Sequence, residues 1–350
     1  MTRDVSTVLE QGIARGVTPG LAASFGKGHP ISIQKQRWCF GQLGKEIQTP
    51  VSPETVYDLA SLTKILSGTL LCAVAVAEKK LALDEEPWPF WPKVKVAHIL
   101  KHTSGLPAWK PLYEHARSYQ AVLEKAKTVQ LVEPPGSKLV YSDIGFIVLA
   151  ELLENRLGAS LSDLFNAYSH RYYGDTGLRY VDLTQEKTHA FFKKAAPTEE
   201  NPWSSAMSQG QVNDLNCFAM GGVSAHAGLF GNLLDVEKAA QFFLNALSGN
   251  ESGVPAVLRD FAHDADPRPL GFDRPSKGGS TGNALSPQSV GHLGFTGTSL
   301  WIDPVAFDRQ GAFYILLTNR IHQGPDMAEI QRLRVAFHEA ASEWLARTPA

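Results

Sequence analysis

The sequence predicts an α/β fold of the α+β kind: an antiparallel β-sheet flanked by N- and C-terminal helices, with a mostly helical second lobe. Two β-rich blocks predict the sheet, because apolar side chains alternate around turn-forming segments in residues 20–41 and again in residues 292–319. Helical periodicity dominates the chain between these blocks. We therefore expect a discontinuous sheet lobe from residues 1–60 and 284–350, a helical lobe from residues 61–283, and a cleft between them.

Turn sequences and a capping motif delimit the elements near the two ends of the chain. Residues 27–30 (KGHP) predict the turn of a hairpin, and residues 308–311 (DRQG) separate two strands of the second block. A terminal helix follows Pro325, because Asp326 and Glu329 have the spacing of a capping box. The first residues of the chain predict another short helix, so a helix is expected at each end.

Several further segments have helical periodicity, and they lie between the two β-rich blocks. The clearest of them are residues 62–80, 96–101, 119–126, 143–157, 161–172 and 234–247. Residues 266–283 are rich in Pro and Gly, and we expect them to form a long exposed loop.

The composition is that of a folded globular protein and excludes several classes of partner. The 33 basic and 35 acidic residues give a formal charge of -2, and no block of like charge is long enough to attract nucleic acid or an anionic membrane. Cys39, Cys72 and Cys217 are too few and too widely spaced for a disulfide framework, so we expect buried thiols.

The N-terminus and the longest apolar run bear on localisation. Residues 1–20 lack the apolar core of a secretory signal, which predicts a cytoplasmic protein for the chain as written; a chain trimmed of its signal would be periplasmic. The apolar run at residues 65–77 is too short to span a bilayer, so we expect a buried helix and no membrane span.

The segment YDLASLTKILSG places Ser61 and Lys64 three residues apart at the start of an apolar run. On a helix this spacing puts both side chains on one face, where a lysine can take the proton of a serine. Lysine acts as a base near neutral pH only where burial or nearby positive charge lowers its pKa. The apolar neighbours favour such burial, and the helix N-terminus offers backbone N–H groups near Ser61.

Two further segments complete a pattern of three ordered motifs. Tyr141-Ser142-Asp143 stands at a predicted helix start, His292-Leu293-Gly294 stands at a predicted strand start, and residues 98–107 read HILKHTSGLP. With Ser61 and Lys64, these segments resemble the serine hydrolases of the penicillin-binding and class C β-lactamase type, which include D,D-peptidases and esterases. The resemblance spans roughly residues 15–345 and implies a β-lactamase/transpeptidase-like fold.

The resemblance implies a role for each matching residue. Ser61 is the acyl-forming nucleophile, Lys64 accepts its proton, and Tyr141 shares the proton relay and protonates the leaving group. Gly294 allows close approach of the substrate to the strand, and the N–H of Phe295 completes an oxyanion hole with that of Ser61.

The sequence departs from the family pattern at three positions. Asp143 replaces the usual Asn, and it is either a helix cap or a partner that keeps Lys64 protonated. His292 and Leu293 replace Lys and Thr, so we expect weak recognition of substrate carboxylates, lost as pH rises through the titration of His292. We also expect Lys64 and His292, as cations, to lower the pKa of Tyr141.

Two other histidine patterns are set aside. His98 and His102 have helical spacing, but Ile99 stands where a zinc-protease helix needs Glu, so no metal is expected. The segment from Gly222 to His226 fails the nucleophile-elbow pattern, because His226 occupies the place of its last glycine; we expect a tight loop near the cleft with a structural histidine.

Together these features predict a serine acyl hydrolase without a cofactor, acting on a small-molecule or peptide substrate. The main hypothesis is hydrolysis of esters or amides, with β-lactams as poor substrates, and the runner-up is a D,D-carboxypeptidase acting on peptidoglycan stem peptides. A non-catalytic penicillin-binding sensor or scaffold is the alternative of another class. The sequence leaves the oligomeric state open.

Overall fold

The structure is a computed structural model that describes residues 4–28, 33–184, 194–203, 206–264, 266–324 and 326–348. Its strands are β1 Gly20–Lys27, β2 Gln34–Gly41, β3 Tyr57–Asp58, β4 Arg179–Tyr180, β5 Glu200–Asn201, β6 Ala206–Met207, β7 Leu229–Gly231, β8 Val290–Leu293, β9 Ser299–Asp303 and β10 Ala312–Thr318. Its helices are α1 Val5–Ala14, α2 Leu70–Ala77, α3 Val96–Leu100, α4 Tyr119–Lys127, α5 Asp143–Leu157, α6 Leu161–Tyr173, α7 Leu215–Ala219, α8 Leu233–Ser248, α9 Val254–His263, α10 Ala306–Arg309 and α11 Met327–Arg347. A π-helical segment, Lys64–Thr69, leads into α2, and a 3₁₀ turn spans Arg320–His322.

The main sheet has five strands in the order β2-β1-β10-β9-β8, and every neighbouring pair is antiparallel. The two β-rich blocks of the sequence therefore pair with each other, with Leu21 opposite Thr318. β10 lies in the centre and is buried along its whole length, because both faces of the sheet are covered. The antiparallel sheet predicted from the sequence is confirmed.

Alternate residues of β10 enter two different hydrophobic cores. Phe313, Ile315 and Leu317 pack on the face that meets the helices between the two blocks, whereas Tyr314 and Leu316 pack under α1 and α11. This alternation follows from the two-residue period of a strand. The helices at both ends of the chain thus cover one face of the sheet, as the sequence predicts.

The central part of the chain is mainly helical and is built around α5. Every residue from 144 to 150 is buried, so α5 is surrounded by apolar neighbours on all sides. A three-stranded sheet in the order β3-β7-β4 lies in this part of the chain, and β3 leads directly to Ser61. The lobe boundaries at residues 60 and 283 stay a prediction.

Some expectations about local structure are corrected. The predicted exposed loop is wrong for residues 268–272, which are buried, because this segment packs against the helical core through Leu270 and Phe272. Cys72 and Cys217 are buried as expected, but Cys39 lies on a sheet-edge strand and is only partly buried. The expected hairpin turn includes residues 29–30, and these lie outside the described residues.

The capping box predicted for the last helix forms only in part. Asp326 accepts hydrogen bonds from the backbone N–H groups of Ala328 and Glu329, so it caps α11. The carboxylate of Glu329 instead pairs with Arg15 and Arg332. Pro325, which precedes the helix in sequence, lies outside the described residues. None of the helices in the described part of the chain is both long and apolar enough to cross a membrane.

Candidate active site

Ser61 lies in a strained turn between β3 and the π-helical segment. The buried carboxylate of Asp58 accepts a hydrogen bond of 2.8 Å from the N–H of Ala60, and Ala60 has a φ of 47°, a conformation that non-glycine residues rarely adopt. Burial raises the pKa of Asp58 to about 6. This turn presents Ser61 just before the helix, so the serine is not itself on the helix as the three-residue spacing suggests.

Lys64 is fully buried and each of its ammonium protons has an acceptor. Its Nζ donates to Ser61 Oγ at 3.0 Å, to Asp143 Oδ1 at 2.6 Å and to the carbonyl oxygen of His226 at 3.0 Å. The π-helical segment begins at Lys64, and such segments occur often at functional sites. The predicted contact between Ser61 and Lys64 is therefore present.

Asp143 determines the charge of Lys64. Burial disfavours the ammonium, but the opposing charge of Asp143 prevails and leaves the pKa of Lys64 above its ordinary value. Ser142 occupies the N-cap position of α5, and Asp143 is the first residue of the helix and turns its carboxylate to Lys64. Of the two alternatives for Asp143, the structure therefore favours the ion pair with Lys64.

Tyr141 lies beside this ion pair, with its ring centroid 5.0 Å from Lys64 Nζ. The phenol interacts with both Ser61 and Lys64, which lower its pKa, but burial outweighs them and the pKa is raised. Lys64 therefore acts on the pKa of Tyr141 in the expected direction, but the expected net lowering is wrong for the resting site because burial has the larger effect. The phenol is protonated at neutral pH and is a proton donor.

The ring of His102 packs against the ring of Tyr141, a contact that the sequence did not predict. The two rings lie 4.4 Å apart, and His102 Nδ1 accepts a hydrogen bond of 3.0 Å from the N–H of Ser142. Burial and the positive charge of Arg268 hold the pKa of His102 well below its ordinary value. The HILKHTSGLP segment thus supplies a neutral histidine that fixes the backbone next to Tyr141.

His292 is buried at the end of β8 and is neutral. Its Nδ1 lies 2.8 Å from the carbonyl oxygen of Leu293, so Nδ1 carries the proton and donates. Burial and the charge of Lys64 hold the pKa of His292 well below 6.5. The expectation that protonated His292 binds a substrate carboxylate, and loses it as pH rises, is therefore wrong: the imidazole carries no charge at neutral pH.

The backbone around Gly294 has the features of an oxyanion hole. A side chain at Gly294 would collide with Thr298 Oγ1 and with the carbonyl oxygen of Leu59, so only glycine fits. The N–H groups of Ser61 and Phe295 donate to no backbone acceptor in the described part of the chain. Both residues line the same cavity, as the predicted oxyanion role requires.

This active-site cavity has a volume of about 570 Å³ and brings all the predicted site residues except Lys64 to its surface. Lys64 lies just beneath, on Ser61. Exposed apolar side chains stand at the cavity, namely Trp109, Phe295 and Met327. Glu199, Asp214 and Asp273 add carboxylates.

A loop that the sequence set aside holds Lys64 in place. The imidazole of His226 lies between Ser224 Oγ at 2.7 Å and Asp214 Oδ1 at 2.9 Å, while its backbone carbonyl accepts from Lys64. Asp214 also caps α7. His226 is thus a structural histidine, as expected, and it acts on a site residue through its backbone.

A second groove lies away from Ser61. A groove of about 750 Å³ runs between α1 and α11, and none of the predicted site residues lines it. Within the described residues, no group of three or more His, Cys, Asp or Glu side chains could hold a metal ion.

A comparison with known protein families shows to which family the chain belongs. The profile of the Beta-lactamase family matches residues 5–338, nearly the whole sequence. The chain belongs to the Beta-lactamase family. It is a serine hydrolase of that family, as the ordered motifs predict.

Among its relatives is an Escherichia coli (strain K12) protein named "Putative D-alanyl-D-alanine carboxypeptidase", which is 28% identical in an alignment that covers 81% of this chain and 75% of the relative. Among solved structures, EstCE1, "a hydrolase with promiscuous acyltransferase activity", superposes with a TM-score of 0.71 at 19% identity and 97% coverage of both chains. A class C beta lactamase from Rhodobacter sphaeroides has a TM-score of 0.68 at 18% identity, with 97% of this chain and 99% of that one covered. These structures show that this Beta-lactamase family member has the expected fold.

Proposed function

We propose that this Beta-lactamase family enzyme hydrolyses esters or amides through an acyl-enzyme on Ser61. The observation that carries the proposal is the 3.0 Å contact between Ser61 Oγ and Lys64 Nζ at the floor of an open cavity. The unpaired N–H groups of Ser61 and Phe295 support it, because they suit the oxyanion of a tetrahedral intermediate.

The proposed reaction proceeds from the minor form of the site in which Lys64 has lost a proton. Ser61 Oγ attacks the carbonyl carbon of the substrate while its proton passes to Lys64 Nζ. Tyr141 donates its proton to the departing oxygen or nitrogen, and the ammonium of Lys64 returns a proton to the phenolate. Water then attacks the acyl-enzyme with the same groups acting in reverse, and Ser61 regains its proton.

The walls of the cavity favour substrates that are mainly apolar. Trp109, Phe295 and Met327 present exposed apolar surface beside Ser61, and His292 and Leu293 carry no charge. Apolar walls with a few polar groups are typical of small-molecule sites. We therefore place esters and amides of apolar acids first.

A D,D-carboxypeptidase is the second candidate. The relative named "Putative D-alanyl-D-alanine carboxypeptidase" supports it, since it matches over most of this chain. Such a substrate ends in a carboxylate, and Arg334 provides one cationic side chain at the cavity. Peptidoglycan stem peptides are then the substrate, and the same Ser61 chemistry applies.

The proposal is tested by steady-state hydrolysis of an activated ester and of a peptide ending in D-alanyl-D-alanine. We expect Ser61→Ala to lower kcat/KM by at least about 10³-fold, because the nucleophile is lost. Ser137→Ala, at an exposed serine that does not line the active-site cavity, is the matched control and should match the unmodified enzyme. An equal rate in the two variants would reject Ser61 as the nucleophile.

A further inference from the structure

Asp58 is a buried carboxylate at the end of β3, shortly before Ser61 in the sequence. The residue is only 3% exposed. Its Oδ1 accepts a hydrogen bond of 2.8 Å from the N–H of Ala60, and its Oδ2 accepts one of 2.7 Å from the N–H of Asn213. The carboxylate therefore joins the turn that presents Ser61 to the segment that leads into α7.

Asp58 has no cationic partner, which is unusual for a buried carboxylate. None of the ion pairs within the described residues includes it. Glu237 shows the ordinary arrangement: burial alone would raise its pKa, but Arg37 and Lys35 pair with it and leave that pKa lowered. The pKa of Asp58 is instead raised, because burial outweighs its two backbone hydrogen bonds. A charge kept at this cost beside a nucleophile indicates a function.

The hydrogen bond to Ala60 acts on Ser61. Ala60 has a φ of 47°, which is strained for a residue with a side chain, and the carboxylate of Asp58 holds its N–H in place. Because Ser61 is the next residue, the conformation of Ala60 determines where the N–H and the hydroxyl of Ser61 point. Asp58 thus stabilises the strained backbone that presents the nucleophile.

The hydrogen bond to Asn213 acts on Lys64 through a neighbouring loop. Asn213 precedes Asp214, whose Oδ1 lies 2.9 Å from His226 Nε2. The backbone carbonyl of His226 accepts a hydrogen bond of 3.0 Å from Lys64 Nζ. One oxygen of Asp58 thereby supports the proton acceptor, while the other supports the nucleophile.

We propose that Asp58, as a carboxylate, is a positioning residue for acylation: it fixes the turn that carries Ser61 and the loop that binds Lys64. This inference rests on the proposed function, because it concerns the step in which Lys64 takes the proton of Ser61. When Asp58 gains a proton, one of its oxygens becomes an O–H that faces a backbone N–H, so one of the two hydrogen bonds is lost. The enzyme is then less active.

The charged and titratable groups near Asp58 lie on its own strand and on the elements packed around it. They are Tyr57, Lys64, Glu199, Asp214, Cys217, His226 and Arg320. β7, which pairs with β3, carries none. Burial raises the pKa of Asp58 to about 6, and the charge of Asp214 adds to that rise. Burial also raises the pKa of Cys217, and although burial opposes the charge of Lys64, Asp143 raises its pKa, so neither changes its charge near pH 6.

Asp58→Asn reproduces the protonated form at every pH, because an amide also offers one acceptor oxygen and one donor group. The measured quantity is kcat/KM for 4-nitrophenyl butyrate, a neutral ester, over about pH 5 to 8. We expect the unmodified enzyme to exceed Asp58→Asn at least about 10-fold at the upper end, and the two to converge at the lower end. The titration of Lys64 is common to both enzymes and cancels in their ratio.

Asp303→Asn is the matched control. Asp303 ends β9 as a buried carboxylate without an ion pair among the described residues, and it accepts hydrogen bonds from Ser286 and from the N–H of Val305. Its partners belong to neither the Ser61 turn nor the loop that binds Lys64, so its ratio to the unmodified enzyme should not vary with pH. A constant ratio for Asp58→Asn would assign any acid limb to another group, such as His226, and would overturn the inference.

Stability separates positioning from a purely structural role. Because the pKa of Asp58 is raised from 3.8 to about 6 in the folded protein, ionisation costs stability progressively between these values and in full above them. We therefore expect Asp58→Asn to have the same Tm as the unmodified enzyme or a higher one at about pH 8, although it is slower. A lower Tm with a loss of activity that does not depend on pH would show that Asp58 only supports the fold.

The unmodified enzyme provides a test that does not depend on the folding of a variant. Lys64 and Asp58 must both be deprotonated, so log kcat/KM should rise with pH with a slope of about 1 above pH 7 and approach about 2 below pH 5. Tryptophan fluorescence at each pH checks that the enzyme is folded. A slope of about 1 throughout would contradict the role of Asp58. Failure to hydrolyse the ester at any pH, with no adduct on Ser61, would instead reject the proposed function itself.

Discussion

Because Lys64 forms an ion pair with Asp143, it is protonated in the resting site and cannot yet accept the proton of Ser61. Lys64 donates to Asp143 at 2.6 Å, and its pKa is raised although burial opposes the charge. The serine proton therefore has to go to the small neutral fraction of Lys64. Activity should rise with pH, because a higher pH increases that fraction.

Asp143→Asn tests this description of the pair. The amide cannot stabilise the ammonium as a carboxylate does, so the pKa of Lys64 falls and its neutral form appears at lower pH. We expect the rising limb of the kcat/KM profile to move to lower pH, measured with a neutral ester. Asp163→Asn, at an acidic residue in the first turn of α6 and away from the cavity, is the control. An unmoved limb in Asp143→Asn would show that another group controls the profile.

The individual site residues were predictable to different degrees. Ser61, Lys64 and Tyr141 could be found because their chemistry depends on spacing and order, which a sequence shows directly. The charges of Tyr141 and His292 could not, because they depend on burial and on the neighbours that folding brings close. Asp58 could not either, because its burial beside the Ser61 turn and its two backbone hydrogen bonds arise only in the fold.

Among the structural elements, the buried loop at residues 268–272 supports the π-helical segment that begins at Lys64. Thr69 Oγ1 donates to the carbonyl oxygens of both Lys64 and Gly271, and the N–H of Gly271 donates to Leu100. Gly271 has a φ of +77°, and a Cβ there would lie 2.1 Å from Thr69 Oγ1. The loop thus fits the helix only without a side chain at this position.

Gly271→Ala and Gly278→Ala form a matched pair that isolates this contact. Both glycines have positive φ, but a Cβ at Gly278 meets nothing within 4 Å. We expect Gly278→Ala to lower the free energy of unfolding by about 1 kcal/mol through backbone strain alone. Gly271→Ala should lower it by about 2–4 kcal/mol, since the collision adds to that strain. Equal losses in urea unfolding would contradict packing of this loop on the helix.

Long periodic elements were predictable, and short ones were not. Helices such as α8 and α11 follow a clear apolar pattern of the helical period, whereas α5 and the central strand β10 are continuous apolar runs. β3, β4 and β7 have only two or three residues each, too few to show any period. The prediction of an exposed loop was wrong for residues 268–272. Pro and Gly content indicates an irregular backbone, but it does not indicate what the segment packs against.

In the complete fold, the main sheet brings the turn after β8 next to the turn that carries Ser61, although the two are far apart in the sequence. Thr296 Oγ1 donates to the carbonyl of Asp58 at 2.8 Å, and Thr298 Oγ1 donates to that of Leu59 at 3.2 Å. These bonds connect the turn after β8 to the turn that presents the nucleophile, more than 230 residues earlier. The oxyanion donors therefore depend on the whole sheet, which local sequence patterns do not describe.

Intact-protein mass spectrometry tests the central claim about Ser61 most directly. The enzyme is mixed with an activated ester and, separately, with a fluorescent penicillin, and each sample is quenched over a time course. We predict a transient adduct of the acyl mass that maps to Ser61, decays with turnover of the ester, and is absent from Ser61→Ala. A stable adduct of the ester on Ser61 would contradict turnover and favour a sensor, whereas an adduct that persists in Ser61→Ala, or no adduct with either probe, would contradict Ser61 as the nucleophile.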